Sequence, residues 1–289
     1  MRNVAWRATR RLLPWLLAAW LPSAQALVIN LHFANEGERS VLGANGRFSR
    51  PGPLVGGGSV AGVFEAAADA WEALLHDNRV FNITVGWTPF FGGALAFAAP
   101  RDDRTNEIAL NRLVTTFADQ TPAENEEFGA FEEVFANLGG GTINVGRGFA
   151  FAGVRKVDLL TVAMHEIGHV LGNPLDEPGT FGSSYPIVGG PFNGTELPCA
   201  RSADDICVHL NLPKALMYPF ASLGRTLISG ADLLYVAADG RFNDIDLSSV
   251  GPRDVPEPPL PALVVAALLA LAWGRWHARG RTAGEGSGF

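Results

Sequence analysis

The residues of this chain best suited to chemistry are two histidines and a glutamate in the stretch His165-Glu166-Ile-Gly-His169. Histidines four positions apart project from one face of an α-helix, and their imidazoles can bind a single metal ion. Glu166, between them, is placed to take a proton from a water molecule bound to that metal. The pattern therefore predicts a zinc site with Glu166 as general base. The motif is short, so an ordinary amphipathic helix carrying two histidines is the alternative.

The helix that must position these side chains has clear ends. Asp158 is suited to cap its N-terminus, Gly172 to stop it, and Pro174 to prevent it from resuming. Its apolar face is formed by Leu159, Val162, Ala163, Ile167 and Val170. We predict a helix over 158–172.

The rest of residues 27–250 predicts one domain of mixed structure. Apolar runs predict strands at 27–33, 80–87, 93–99, 142–145 and 149–152. Helical spacing predicts helices at 59–76, 106–117, 121–138 and, after a cap at Ser229-Gly-Ala-Asp232, at 233–238. His32, in the first strand, reads as a strand residue. The expected fold class is α/β (α+β), with a twisted mixed sheet.

Charge is unevenly distributed along the chain. The four arginines of 1–26 and the four of 251–289 leave 14 of 22 basic residues in 27–250, against 26 of 29 acidic residues, a net charge there of about −12. Phosphates would be repelled by such a body, so nucleic acid is disfavoured as a partner.

The segment 173–214 is rich in glycine and proline and reads as loop. It contains the only two cysteines of the chain, Cys199 and Cys207. In an exported protein, a nearby pair suggests a local disulfide, with free thiols or metal ligands as the alternative.

A cluster of oxygen-bearing side chains follows the last predicted helix, at Asp239, Asn243, Asp244 and Asp246. These residues are weak candidates for calcium, because their spacing lacks the ladder of a known calcium loop. A solvated turn is the preferred interpretation.

Residues 1–26 have the order of an export signal. A basic region with Arg10-Arg11 precedes the apolar run 12–21, and Ala24-Gln25-Ala26 offers a cleavage site. The paired arginines leave general and twin-arginine export open. The mature chain is predicted to begin at Leu27.

The C-terminal segment 251–289 has a third composition. A proline-rich lead-in, Val255-Pro-Glu-Pro258-Pro259, precedes the aliphatic run 260–274 and an arginine-rich end at 275–281. The run is shorter than the ~20 residues of an ordinary spanning helix, but it is apolar on every side and has a basic flank. We predict a membrane helix at about 260–274.

Two motifs together resemble those of the metzincin clan of zinc endopeptidases: His165-Glu166-x-x-His169-x-x-Gly172 and Ala215-Leu-Met217-Tyr-Pro219. The second is similar to the methionine turn of matrix-metalloproteinase-like members. The resemblance implies that the chain turns at Gly172 toward a third zinc ligand, and that Met217 forms a floor beneath the metal. It also implies that the strand at 93–100 pairs with an extended substrate.

The third ligand departs from the clan pattern. The clan places it three residues after the glycine, where this chain has Leu175, which cannot bind a metal. We predict that Asp176, one residue later, supplies an oxygen ligand instead. Glu177 and His209 are the alternatives.

The C-terminal segment resembles a PEP-CTERM sorting signal. The resemblance implies a Gram-negative bacterial protein that is exported across the inner membrane and anchored there. An exosortase-like enzyme would then remove the anchor and pass the protein to the cell surface or the exterior.

These features predict a monomeric zinc endopeptidase that hydrolyses a protein or peptide substrate. The alternative is a non-catalytic surface or extracellular-matrix protein with a structural or relic metal site. A gluzincin-type peptidase, with its third ligand on a later helix, is disfavoured by Gly172 and the Met217 motif. No cysteine lies between 27 and 198, which excludes inhibition by a cysteine of an N-terminal segment.

Overall fold

The computed structural model describes residues 26–90, 93–100, 106–119, 128–151, 156–172, 183–201, 207–220 and 224–248. The chain divides into two units, Met1–Gly251 and Pro252–Phe289, and every described residue belongs to the first. The predicted export signal before Ala26 and the predicted membrane segment lie outside these ranges, so export and sorting stay predictions. Within the ranges, no helix is long and apolar enough to cross a membrane.

The described residues form a mixed α/β structure of the α+β type that was expected. Its helices are α1 (Val60–Glu72), α2 (Leu159–Gly172) and α3 (Gly230–Asp239). Its strands are β1 (Val28–Phe33), β2 (Leu54–Val55), β3 (Val80–Thr88), β4 (Ala96–Ala99), β5 (Asn106–Asn111), β6 (Thr116–Phe117), β7 (Phe128–Asn137), β8 (Thr142–Phe151), β9 (Val157–Asp158), β10 (Ser184–Pro186), β11 (Glu196–Arg201), β12 (Cys207–Leu210) and β13 (Arg225–Leu227).

Each helix begins at a predicted polar cap. The Ser59 hydroxyl accepts a hydrogen bond from Gly62 N at 3.1 Å, and the Asp158 carboxylate accepts one from Thr161 N at 3.0 Å. Ser229 and Asp232 form a reciprocal capping box at the start of α3. The side-chain acceptors satisfy backbone N–H groups that have no partner within the first turn.

A four-stranded mixed sheet lies at the centre of the fold, in the order β1-β3-β5-β4. The first three strands are parallel, and β4 pairs antiparallel with β5 at the edge. Helices α1 and α2 are joined across the core by Trp71, whose Nε1 donates to the carbonyl of Met164 at 2.9 Å. This bond and the burial of Trp71 and Ile167 fix the helix that carries the motif.

The helix predicted at 106–117 is wrong, because these residues form β5 and β6. All six residues of β5 are buried, and the strand lies inside the sheet, paired with β3 on one side and β4 on the other. A central strand covered on both faces has no alternation of apolar and polar residues, so its sequence lacks the usual strand pattern.

The helix predicted at 121–138 is also wrong over its described part, which forms the long strand β7. It pairs antiparallel with β8, a single strand in place of the two predicted short ones. The ladder is irregular between Phe128 and Phe131 and again between Val134 and Phe135. The first irregularity places an extra residue in β7, so Phe128 and Phe131 are three positions apart, a spacing that imitates a helix.

The stretch expected to be loop contains a small sheet with the order β10-β11-β12. Cys199 in β11 and Cys207 in β12 are joined by the predicted disulfide, with their Cα atoms 5.3 Å apart. Glycine and proline content predicted the turn between β10 and β11 and concealed the strands themselves.

Candidate metal centre

Strand β9 and a buried ion pair fix the start of α2. Asp158 accepts hydrogen bonds from both the backbone and the hydroxyl of Thr161, and it pairs with the Arg225 guanidinium at 3.1 Å. Both side chains of the pair are almost inaccessible to water. The two charges therefore anchor the first turn of α2 to β13 within the protein interior.

Three imidazoles meet at one point beside α2. Nε2 of His169 lies 3.0 Å from Nε2 of His165 and 3.2 Å from Nε2 of His209. His165 and His169 are one turn apart on α2, and His209 extends from β12. Among the described residues, these three form the one group of three or more metal-ligating side chains whose donor atoms all lie within 4.8 Å of one another.

A backbone carbonyl sets the tautomer of His165. Nδ1 of His165 donates a hydrogen bond to the carbonyl of Leu216 at 2.7 Å, because a carbonyl can only accept. In the neutral ring, Nε2 then carries a lone pair directed at the other two histidines. Metal-binding histidines are commonly oriented by such a bond from the second ring nitrogen.

All three histidines are held in their neutral form. Burial lowers the pKa of His165, lowers that of His169 still further, and lowers that of His209 to about 3. The neighbouring imidazoles add to this effect at His169 and His209, because a second positive charge there would be repelled. Neutral imidazole is the form that binds a metal.

Glu166 lies beside this cluster and faces the cleft described below. Burial raises the pKa of Glu166 to about 8, against the smaller lowering effect of a hydrogen bond from the backbone of Ala98 in β4. The carboxyl group can therefore bind and release a proton near neutral pH, which general acid–base catalysis requires.

Met217 lies beneath the helix at the level of the histidines and is fully buried. A Cβ atom placed on Gly168 would come within 2.7 Å of the Met217 sulfur and 3.2 Å of the Trp71 ring. Only glycine lets α2 approach the methionine this closely. Met217 is thus a packing residue under the motif helix, within the segment Ala215–Pro219, here called the methionine turn.

Asp232 holds this methionine turn from α3, a role that the sequence did not reveal. Its carboxylate accepts hydrogen bonds from Leu216 N at 2.9 Å and Met217 N at 2.8 Å, and from the Ser229 hydroxyl at 2.6 Å. The carbonyl of Leu216, in the same peptide group as the Met217 N–H, accepts the hydrogen bond from Nδ1 of His165. A helix cap predicted from sequence therefore supports a histidine of the cluster.

Strand β12 places His209, which sequence reasoning ranked behind Asp176. Leu210 N donates to the carbonyl of Met217 at 2.8 Å, so β12 is tied to the methionine turn. Asp176 and Glu177 lie outside the described residues, and Asp176 as third ligand stays a prediction. The sequence feature that could have indicated His209 as a ligand is its position in an apolar Cys-Val-His-Leu stretch, two residues after a disulfide cysteine.

A cleft of about 790 Å³ opens over Glu166 and the histidines. Its lining includes β4 with the residues before it, and residues of the segment from Pro213 to Phe220. Phe97 and Phe220 line the cleft and are 48% and 72% exposed. The cleft can accommodate an extended chain with apolar side chains.

Outside the cluster, His32 and the residues of the predicted calcium site make local contacts where the structure describes them. His32 in β1 pairs with Glu38 at 3.0 Å on the surface. In the turn proposed as a weak calcium site, the backbone N–H groups of Asn243 and Asp244 donate to Asp77, and the Asp246 carboxylate accepts from Ser248 N. For Asn243, Asp244 and Asp246 these contacts are typical of a solvated turn, whereas Asp239, the first residue of the predicted set, is largely buried.

No protein-family model matches this sequence, and no curated protein is found to be similar to it.

Proposed function

We propose that this protein is a zinc-dependent endopeptidase whose metal is held by His165, His169 and His209, with Glu166 as general base. The observation that carries the proposal is the convergence of three Nε2 atoms beside a buried glutamate in an open cleft. The proposal keeps the roles that the metzincin resemblance implies for His165, Glu166 and His169, and it takes His209, one of the two alternatives to Asp176, as the third ligand.

The three imidazoles fit a zinc ion in spacing and in protonation. Nitrogen ligands about 2.0–2.1 Å from a tetrahedral zinc lie about 3.3–3.4 Å apart, close to the Nε2 separations of 3.0 and 3.2 Å. Three protein ligands leave one position for water or substrate, as in catalytic zinc sites. When bound, zinc would lower the pKa of water toward neutrality and polarise the scissile carbonyl.

Glu166 supplies the proton transfers. Its carboxylate takes a proton from the attacking water and then donates it to the nitrogen of the leaving amine. A nearby cation favours the ionised carboxylate and would bring the pKa of Glu166 below about 8, into the range useful for a base at neutral pH.

Strand β4 offers a binding edge for the substrate backbone. It pairs with β5 on one side, and the described part of the chain places no strand on its other side. An extended peptide laid along this edge would be held by backbone hydrogen bonds and would pass over Glu166. Because the cleft walls are largely apolar, peptides with large apolar side chains near the scissile bond are the expected substrates.

The mechanism is tested with Glu166→Gln, which keeps the shape of the side chain and removes the base. The purified protein should contain about one zinc per chain and cleave a denatured protein. We expect the variant to retain the zinc and to lose cleavage by a factor of about 10² or more. Metal analysis and a fluorescent casein assay measure the two properties, and full activity in the variant would rule out this mechanism. A native protein with neither zinc nor cleavage would support the non-catalytic alternative.

A further inference from the structure

We propose that the Cys199–Cys207 disulfide and Tyr235 are positioning groups for the third metal ligand, so that metal affinity depends on the disulfide. The inference rests on the proposed zinc site. The crosslink, which lies outside the motif helix, would influence the geometry of the metal centre directly.

The three histidines are supported very differently. His165 and His169 extend from a fourteen-residue helix whose other residues are all buried. His209 extends from β12, a strand of four residues that pairs with β11 in a sheet of three short strands. A strand this short has few backbone hydrogen bonds, so its position depends on other attachments.

The disulfide is one of these attachments. In the β11–β12 ladder His209 lies opposite Ala200, and the register is irregular immediately afterwards, between Ala200 and Arg201. Cys207 lies beyond this irregularity, opposite Arg201, and its disulfide joins it to Cys199, the neighbour of Ala200. The crosslink therefore spans the irregular part of the ladder and restrains the strand on which His209 stands.

Tyr235 attaches Cys207 to helix α3. Its hydroxyl donates a hydrogen bond of 2.6 Å to the carbonyl of Cys207, and both residues are buried. Tyr235 lies on α3, the helix whose Asp232 holds the methionine turn. Cys207 is thus fixed through its sulfur to β11 and through its carbonyl to α3, two positions before His209.

The coupling must be reciprocal, because binding and disulfide stability are linked through one folded state. If the disulfide favours metal binding, bound metal must favour the disulfide. Reduction by a dithiol adds two electrons and two protons to the S–S bond, giving two cysteine thiols and the oxidised dithiol. Bound zinc should therefore make this reduction less favourable.

The experiment measures zinc affinity of the full-length protein by competition with a chromophoric chelator. In Cys199→Ala/Cys207→Ala we expect zinc binding about 10- to 100-fold weaker than in the native protein. The visible spectrum of bound Co²⁺ should also change, because its intensity reports coordination number, which a loss of stability alone would not alter. Tyr235→Phe should weaken binding in the same direction without any change in charge or cysteine content.

The matched control is Ser184→Ala in the same small sheet. It removes an exposed hydrogen bond of 2.6 Å between Ser184 and Glu196 and leaves both attachments of Cys207 intact. Its zinc affinity should remain within about twofold of the native value. If the cysteine variant does not fold, Tyr235→Phe decides: native affinity and a native Co²⁺ spectrum would overturn the inference.

His209→Ala separates this inference from the proposed function. Loss of zinc in His209→Ala, together with native affinity in the cysteine and tyrosine variants, would overturn the positioning role and leave the zinc centre standing. Unchanged zinc in His209→Ala would remove His209 from the ligand set, and the inference would fail with it.

Discussion

At the scale of single residues, the candidate centre depends on groups that never touch the metal position. Asp232 bonds the Leu216 and Met217 amides, and the Leu216 carbonyl in turn orients His165. Through these hydrogen bonds, Asp232 of α3 fixes the orientation of the His165 ring on α2, and with it the direction of the Nε2 lone pair. The histidine geometry is thus determined by hydrogen bonds outside the motif.

Gly168 tests how closely α2 must approach the methionine turn. A methyl group in Gly168→Ala would come within 2.7 Å of the Met217 sulfur, so we expect a loss of about 1–3 kcal/mol in the free energy of unfolding, measured in urea. In the control Gly172→Ala, the methyl group meets the Asp239 carboxylate at 3.3 Å, and helix propensity favours alanine. Equal effects at both sites would contradict the close approach.

Asp239 makes stability depend on pH. Burial raises the pKa of Asp239 from 3.8 to about 7, and its Oδ2 is buried without a hydrogen-bond partner. Because the folded pKa lies above the unfolded one, the stabilisation from protonation is complete below pH 3.8 and is lost as pH rises through about 7.

Asp239→Asn removes this titration. The variant should match the native protein near pH 4 and exceed it above pH 8 by up to roughly 4 kcal/mol, because the amide never acquires the buried charge. Thermal unfolding at a series of pH values measures the difference. A difference that is constant across this range would contradict the assignment.

At the scale of elements, the buried pair Arg225–Asp158 connects β13 to the first turn of α2. Arg225→Leu leaves the Asp158 carboxylate buried without its cation, so we expect a loss of about 3–5 kcal/mol in stability. Urea denaturation monitored by tryptophan fluorescence measures it.

The control for this pair is the double variant Asp158→Asn/Arg225→Leu, in which no charge remains buried. It should recover part of the lost stability. If the double variant were no more stable than the single one, the cost would arise from lost packing at Arg225, which also stacks on the Phe128 ring.

At the scale of the whole molecule, the proposed centre joins two parts of the fold that are distant in sequence. Zinc bound by α2 and β12 should stabilise the folded protein by about 2.7 kcal/mol at a free concentration 100 times Kd. Chelation should therefore lower the Tm of the native protein, measured by differential scanning fluorimetry. His209→Ala should show a much smaller change, and a shift equal to the native one would exclude β12 from the centre.

The sequence predicted some elements well and others wrongly, for identifiable reasons. The caps at Ser59, Asp158 and Ser229 were correct, because a polar side chain before an apolar periodic run acts within one helical turn. Strands β5 and β7 were mistaken for helices, since full burial removes the alternation in β5 and an extra residue in the ladder spaces Phe128 and Phe131 three apart in β7. Such effects depend on neighbouring strands that local sequence does not identify.

By itself, the sequence determined the motif helix, its two histidines, the adjacent glutamate and the disulfide partners, because these depend on residue type and short spacing. Only the tertiary structure brought His209 to the pair and Asp232 to the methionine turn. His209 lies 40 residues after His169, and Asp232 lies 15 residues after Met217. Strand pairing and helix packing bring these segments together. The direction in which such distant side chains point is fixed only when the whole core is packed.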